Sequence, residues 1–154
     1  MSEAEKRPFG AWLPSEACAF IEKFEGRRLS AYRCPADVWT IGVGHTEGVK
    51  EGDTCTDEQV DAWLEKDIAT AQRYLARYVN VPVTRGQFVA LVSLAFNVGA
   101  PYVVRHCPRL MRALNEGDID AASHEFLDVN KVDGKEVAGL TRRRQAEAAL
   151  FAQE

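Results

Sequence analysis

The chain is predicted to be an α+β protein in which a short β-ribbon sits between helices. Three observations carry this. Ala17, Phe20, Ile21 and Phe24 recur at helical spacing. The pattern then switches to strict alternation at Trp39, Ile41 and Val43, with Gly42 and Gly44 between and after. Helical periodicity returns at Thr56-Asp57-Glu58-Gln59, a capping box, and holds to the end of the chain.

The first ten residues read as a loose arm. Ser15, after Pro14, is the expected N-cap of the first helix, and Gly26 is its expected stop. Glu25 therefore falls in the last helical turn, where the negative end of the helix dipole opposes an ionised acid and favours a held proton. Tyr32 and the alternating run that follows predict short antiparallel strands, with Pro35-Ala36-Asp37 as the turn between them. The helix opened by Thr56 carries an apolar stripe of Val60, Trp63, Leu64, Ile68, Ala71, Leu75 and Tyr78, and Asn80-Val81-Pro82 is expected to end it. It is long enough to bridge two lobes. Thr84-Arg85-Gly86-Gln87 is a second capping box, opening a helix that is apolar nearly all round and so belongs at the centre of a lobe. Asn97-Val98-Gly99 closes it. Shorter helices are expected over 109–114, 119–127 and 142–151, with turns at Asn115-Glu116-Gly117-Asp118 and Val132-Asp133-Gly134.

A length of 154 residues with 46% apolar and 27% charged residues fits one soluble domain with a real core. The net charge of −4 gives no global argument for nucleic acid or an anionic membrane. No apolar run approaches the roughly 18 residues of a membrane-spanning helix, and the polar start, Met1 to Pro8, lacks the apolar core of a secretory signal. The chain is accordingly expected to stay in the compartment where it is made. Its four cysteines, Cys18, Cys34, Cys55 and Cys107, and its three histidines show no metal-ligand spacing, so free thiols and no metal or cofactor are expected. No Gly-x-Ser-x-Gly elbow is present, and Gly42-Val43-Gly44 runs into His45-Thr46 rather than into a phosphate-binding helix.

What remains is an acid at a helix end facing small polar groups on a ribbon, which is how a polysaccharide cleft is built. Glycoside hydrolysis needs a carboxylic acid that keeps its proton near neutral pH and a second group across the bond. Glu25 is the candidate acid, with Phe24 and Trp39 to favour its neutral form. Cys34 or Asp37 is the candidate second group, and Thr40 can hold a water through its hydroxyl. Plainer readings stand beside these: a half-buried thiol for Cys34, β propensity for Thr40 and turn chemistry for Asp37. A carboxylate at Glu25 is expected to keep the facing Cys34 thiol protonated. Asp67 falls on the apolar stripe of the long helix and needs a partner there; His45 is the natural one, giving an ion pair that pins the lobes together. Arg142-Arg143-Arg144 reads either as a solvated basic face or as an arginine turned toward Glu25 or toward an acidic peptide stem.

The segment Glu25-x8-Cys34-x5-Thr40, followed by Gly42-Val43-Gly44-His45, resembles in order and spacing the catalytic segment of the phage-type lysozymes. Further matches are Ala95-Phe96-Asn97-Val98-Gly99, Leu110 to Asp118, and Gly139 to Glu147, so the resemblance runs from about Ser15 to Phe151. It implies a lysozyme-like fold in a single 1–154 domain: a small β lobe over 27–55, a connecting helix over 56–80, and a helical lobe from 12–26 and 81–154. It makes Glu25 the general acid, Cys34 the occupant of a position more often held by Asp, and Thr40 the third catalytic residue, and it pairs the positions of His45 and Asp67; Asp37 and Arg143 stand beside these as candidate support residues from the reading of the residues themselves. The implied activity is hydrolysis of the β-1,4 bond between N-acetylmuramic acid and N-acetylglucosamine in peptidoglycan. The implied biology is that of a monomeric endolysin, cytoplasmic in the host until a separate holin opens the membrane to the periplasmic wall.

The chain departs from the family at Cys34, at Val129, near which many relatives carry Trp, and over 100–107, which is about two residues longer than usual. Many relatives also carry an N-terminal membrane signal, and the polar start, Met1 to Pro8, is not expected to act as one. A wall-binding protein of lysozyme fold with weak or no catalysis is the alternative. The Cys at 34 and the acidic balance argue for it; intact Glu25 and Thr40 argue against.

Overall fold

The arm at the start of the chain is docked. In the computed structural model, which describes residues 4–153, strand β1 (Lys6–Arg7) pairs antiparallel with residues Val83–Thr84. Phe9 and Trp12 behind it are buried, and both rings pack on Phe88. Trp12 Nε1 donates to Val83 O at 3.1 Å, and Gln72 Nε2 donates to Phe9 O and Trp12 O at 3.1 and 2.7 Å. The expected loose arm is thus corrected over 4–10; residues 1–3 lie outside the described part. Two aromatic rings in a polar stretch outweigh its loop-like composition, since burying each stabilises by about 1.5–3 kcal/mol.

Ser15 is not an N-cap. Pro14 starts a 3₁₀ turn over Pro14–Ala17 that runs directly into helix α1 (Cys18–Glu25), and neither element has a side-chain cap. Gly26 stops α1 as expected, with φ of 74°, a region that favours glycine. The ribbon follows as β2 (Arg28–Arg33) and β3 (Trp39–Gly42), antiparallel, with Tyr32 opposite Thr40 and a register shift between Arg28 and Tyr32. Its turn is closed by Cys34 N to Val38 O at 3.0 Å and Asp37 N to Cys34 O at 2.8 Å.

Thr56 caps helix α2 (Asp57–Ala76), which joins the two lobes. The helix ends earlier than the stripe suggested, and Tyr78 lies beyond it. Strand β4 (Val83–Thr84) leads into α3 (Arg85–Val98), capped by Thr84. Every residue from Gln87 to Ala95 is buried there, so α3 is the axis of the helical lobe. Gly99 then turns the chain into α4 (Ala100–His106), a helix the sequence reading left out. The bend between α3 and α4 is 99°. Next come α5 (Pro108–Asn115), α6 (Ile119–Glu125) with a 3₁₀ extension over Phe126–Asp128, and a hairpin of β5 (Lys131–Val132) and β6 (Lys135–Glu136). Asp133 and Gly134 at positive φ make its turn. Helix α7 (Ala138–Ala152) begins four residues earlier than expected and packs along α3. Arg143 and Arg144 therefore lie inside the helix, and both are buried, which overturns the solvated-face reading. Among the described residues no single helix is long and apolar enough to cross a membrane.

Candidate active site

Glu25 ends α1 at the junction of the lobes. Its Oε1 accepts from Arg143 Nη1 of α7 at 2.6 Å, and its Oε2 lies against Gly44, where an added Cβ would come within 3.0 Å. Gly44 has φ of +63° and would place the same Cβ 2.9 Å from the Phe96 ring. A residue without a side chain is thus required at this point, because Gly44 is wedged between the acid and Phe96 of α3. The arginine turned toward Glu25 is Arg143, one of the two readings open for the basic run.

Arg143 is itself held on three sides. Nη2 donates to Ser93 O at 3.1 Å, Nε reaches Glu147 Oε2 at 3.3 Å, and its guanidinium carbon sits 5.5 Å over the Phe24 ring. Glu147 is fully buried and also takes Arg144, whose Nη2 donates to Oε2 at 3.0 Å. Arg144 Nε approaches Glu147 Oε1 at 2.6 Å but off the hydrogen-bond direction, so that contact is ionic only. Burial pushes the Glu147 carboxyl above its ordinary range, against the pull of the arginines, and burial lowers Arg144. Ser93 and Glu147 were absent from the sequence reading. The available signals were a lone Ser in an otherwise apolar helix and a Glu at i+4 from Arg143.

On the ribbon, Cys34 and Thr40 are brought together. Thr40 is buried, and its hydroxyl donates to Val38 O at 2.9 Å, which leaves the oxygen free to accept. The Cys34 thiol lies below its ordinary range, chiefly through a hydrogen bond from the Val38 backbone. This corrects the expectation that Glu25 would push it up: the donors of the turn dominate. Cys18, in contrast, is pushed up to about 11, mainly by burial, and burial also raises Cys55 and Cys107. All four are free thiols. Cys34 is therefore expected to be the first of the four to react with iodoacetamide, with its alkylation rising at the lowest pH. Peptide mass mapping between about pH 6 and 9 checks this, since thiolate fraction sets the order; faster labelling at Cys55 would contradict it.

Asp37 behaves as a turn residue. Its φ is 62°, and its exposed carboxylate pairs with Arg33 Nη1 at 2.9 Å. Tyr32, opposite Thr40, is instead the ribbon side chain that feels both Glu25 and Cys34; its hydroxyl is pushed up mainly by burial and further by both of them.

His45 meets Asp67. Nδ1 donates to Asp67 Oδ2 at 2.7 Å, and the imidazole stacks on Trp63 at 4.6 Å with the planes 5° apart. Both contacts fix the end of the ribbon to α2 through the single side chain of His45. A double-mutant cycle with His45→Ala and Asp67→Ala, read by thermal melting near neutral pH, is expected to give a coupling of about 0.5–3 kcal/mol. Additive losses would mean that the contact does not pin the lobes. A groove of about 420 Å³ opens here between Thr46 and Glu47 of the ribbon side, Tyr74 of α2, and Phe96 and Pro101.

Comparison with known proteins decides the family. The phage lysozyme family model matches residues 22–147. The chain belongs to the phage lysozyme family. It is 41% identical over 143 residues to an endolysin of Acyrthosiphon pisum secondary endosymbiont phage 1, covering 90% of this chain and 97% of the relative. It is 34% identical to the endolysin of Salmonella phage P22, again over 90% and 97%. Among solved structures it resembles the muramidase domain of SpmX from Asticaccaulis excentricus (TM-score 0.82, 32% identity, 93% of this chain and 99% of that one). It also resembles the active form of the P1 phage endolysin Lyz (TM-score 0.77, 28% identity, 88% and 82%). The protein is a glycoside hydrolase of lysozyme type with the lysozyme-like α+β fold.

Proposed function

We propose that this phage lysozyme hydrolyses the β-1,4 bond between N-acetylmuramic acid and N-acetylglucosamine in peptidoglycan, acting as an endolysin that releases phage progeny. The contact of Glu25 with Arg143 beside the ribbon carries the reading. One carboxylate oxygen is engaged by the arginine, and the other is left beside Gly44 to donate a proton to the leaving sugar oxygen. Across the bond, Cys34 and Thr40 hold the attacking water. With the Thr40 proton committed to Val38 O, the water donates to the Thr40 oxygen. Attack from the face opposite the acid inverts the anomeric carbon, the water giving up its second proton to solvent as the bond forms, so the first product is the α-anomer. Peptidoglycan is the one partner the reading needs; the enzyme works as a monomer, without metal or cofactor. It waits in the host cytoplasm for a holin to give it the wall.

Digestion of purified Gram-negative sacculi tests the chemistry. The expected products carry N-acetylmuramic acid at the new reducing end, released as the α-anomer by early NMR. Products reducing at N-acetylglucosamine would refute the bond assignment. A β-anomer would refute the water assigned to Cys34 and Thr40. No products at all would favour the wall-binding alternative.

A further inference from the structure

We propose that Glu147 is a positioning residue for the acid: its buried carboxylate aims the Arg143 guanidinium at Glu25 and offsets that guanidinium's charge. The inference rests on the reading of Glu25 as general acid and names what keeps an arginine-bound carboxyl usable in that role.

Geometry is the first argument. A guanidinium is planar with its N–H groups in a fixed fork, so two held edges determine where the third points. In Arg143, Ser93 O and Oγ hold Nη2 at 3.1 and 3.3 Å, and Glu147 Oε2 with Ser93 Oγ holds Nε at 3.3 and 3.4 Å. The remaining Nη1 then points at Glu25 Oε1 at 2.6 Å. Ser93 Oγ in turn donates to Glu147 Oε2 at 2.5 Å, which closes a ring of contacts between α3 and α7.

Charge is the second. An arginine 2.6 Å from a carboxyl favours the ionised form, whereas a general acid must carry its proton when substrate is bound. The cluster holds two guanidiniums and two carboxylates: Arg143, Arg144, Glu25 and Glu147. Protonating Glu25 leaves it with one net positive charge. Without the Glu147 carboxylate the same step would leave two, in a place where Arg143 is 4% exposed and Arg144 and Glu147 are fully buried. Screening by water is weak there. A cluster serving stability alone would need no buried charges, since apolar side chains of the same volume hold helices together as well or better.

The groups facing Glu25 are Arg143 from α7 and, from the ribbon, Tyr32, which in turn lies near Cys34. Those facing Glu147 are Ser93 from α3 and Arg143 and Arg144 from its own helix. Neither Tyr32 nor Cys34 touches Glu147, so a change at Glu147 reaches the acid through Arg143.

The test is the pH–rate profile of Glu147→Gln on soluble peptidoglycan chains. Glutamine keeps the shape and an acceptor and removes the charge. The alkaline limb of kcat is expected to move to lower pH by roughly one unit, the size of effect one neighbouring charge produces, with KM little changed. Activity would then recover on acidification. A uniform loss at every pH, or an unmoved limb, overturns the proposal. If the single variant does not fold, Arg144→Gln with Glu147→Gln removes one charge of each sign and leaves the cluster's net charge as in the parent, so the limb is expected to stay in place, and a limb displaced by a unit overturns the charge argument. Glu25→Gln run in the same assay separates the two claims. If that variant is inactive and the limb is unmoved, Glu147 alone has been misassigned; if it is active, the acid itself has been.

Discussion

Glu25→Gln is expected to lower the rate of sacculus hydrolysis at least about a hundredfold, the low end of what a positioned acid contributes, with the fold intact. Glutamine fits the same space and still offers an oxygen to Arg143 Nη1, so the contact at 2.6 Å survives in form. Arg143 also keeps Ser93 and Glu147 as partners, so no arginine is left stranded in the interior. What the substitution removes is the acidic group that the proposed mechanism draws a proton from, beside Gly44. Release of soluble muropeptides is the readout and a thermal melt the control. Near-parental release with a normal melt would remove Glu25 from the mechanism.

The second large effect is expected at Gly44. Gly44→Ala places a methyl group 2.9 Å from a Phe96 ring carbon and 3.0 Å from the Glu25 carboxylate, on a backbone with φ of +63°. The backbone cost alone is about 1–3 kcal/mol. Phe96 is packed against the core of the helical lobe and gives little, so the acid is the neighbour that moves. Displacing a catalytic group by about 1 Å costs on the order of a hundredfold in rate. The variant is therefore expected to lose both stability and activity. By contrast, Gly48→Ala, where nothing lies within 4 Å and φ is +71°, is expected to cost stability alone. Equal activity losses in the two glycine variants would show that strain, and not crowding of the acid, is responsible.

Local signals in the sequence carried the frame and most of the ribbon. Thr56 with Gln59 and Thr84 with Gln87 cap their helices by short-range chemistry, and both boxes form. Gly26 and Gly99 stop helices for the same kind of reason. The pairing of His45 with Asp67 was legible because a carboxylate on an apolar stripe demands a partner. Two of the failures come from dependence on distant residues, and two from local geometry that spacing does not encode. Three adjacent arginines look solvated until Glu147 and Ser93 are in place, and Ser93 is 54 residues from Glu147 along the chain. The arm is held by Val83 and Gln72, some 60 to 71 residues away. Helix α4 is short and begins with Pro at its first turn, so its period is too brief to read. The lowered Cys34 thiol depends on turn geometry that spacing does not encode.

The bond between Glu25 and Arg143 spans 118 residues, nearly the whole chain. Its consequence is one of timing. At roughly 5–20 residues per second, a ribosome needs roughly 6 to 24 seconds to deliver Arg143 after Glu25 has been made. Throughout that interval α1 and the ribbon exist without α7, so the acid has neither its arginine nor the charge that offsets it. A chain that ends before Arg143 is accordingly expected to be inactive, however complete its first fifty residues are. Hydrolytic activity is expected to appear in one step, when the last helix docks, and chains cut short before Arg143 are expected to show none.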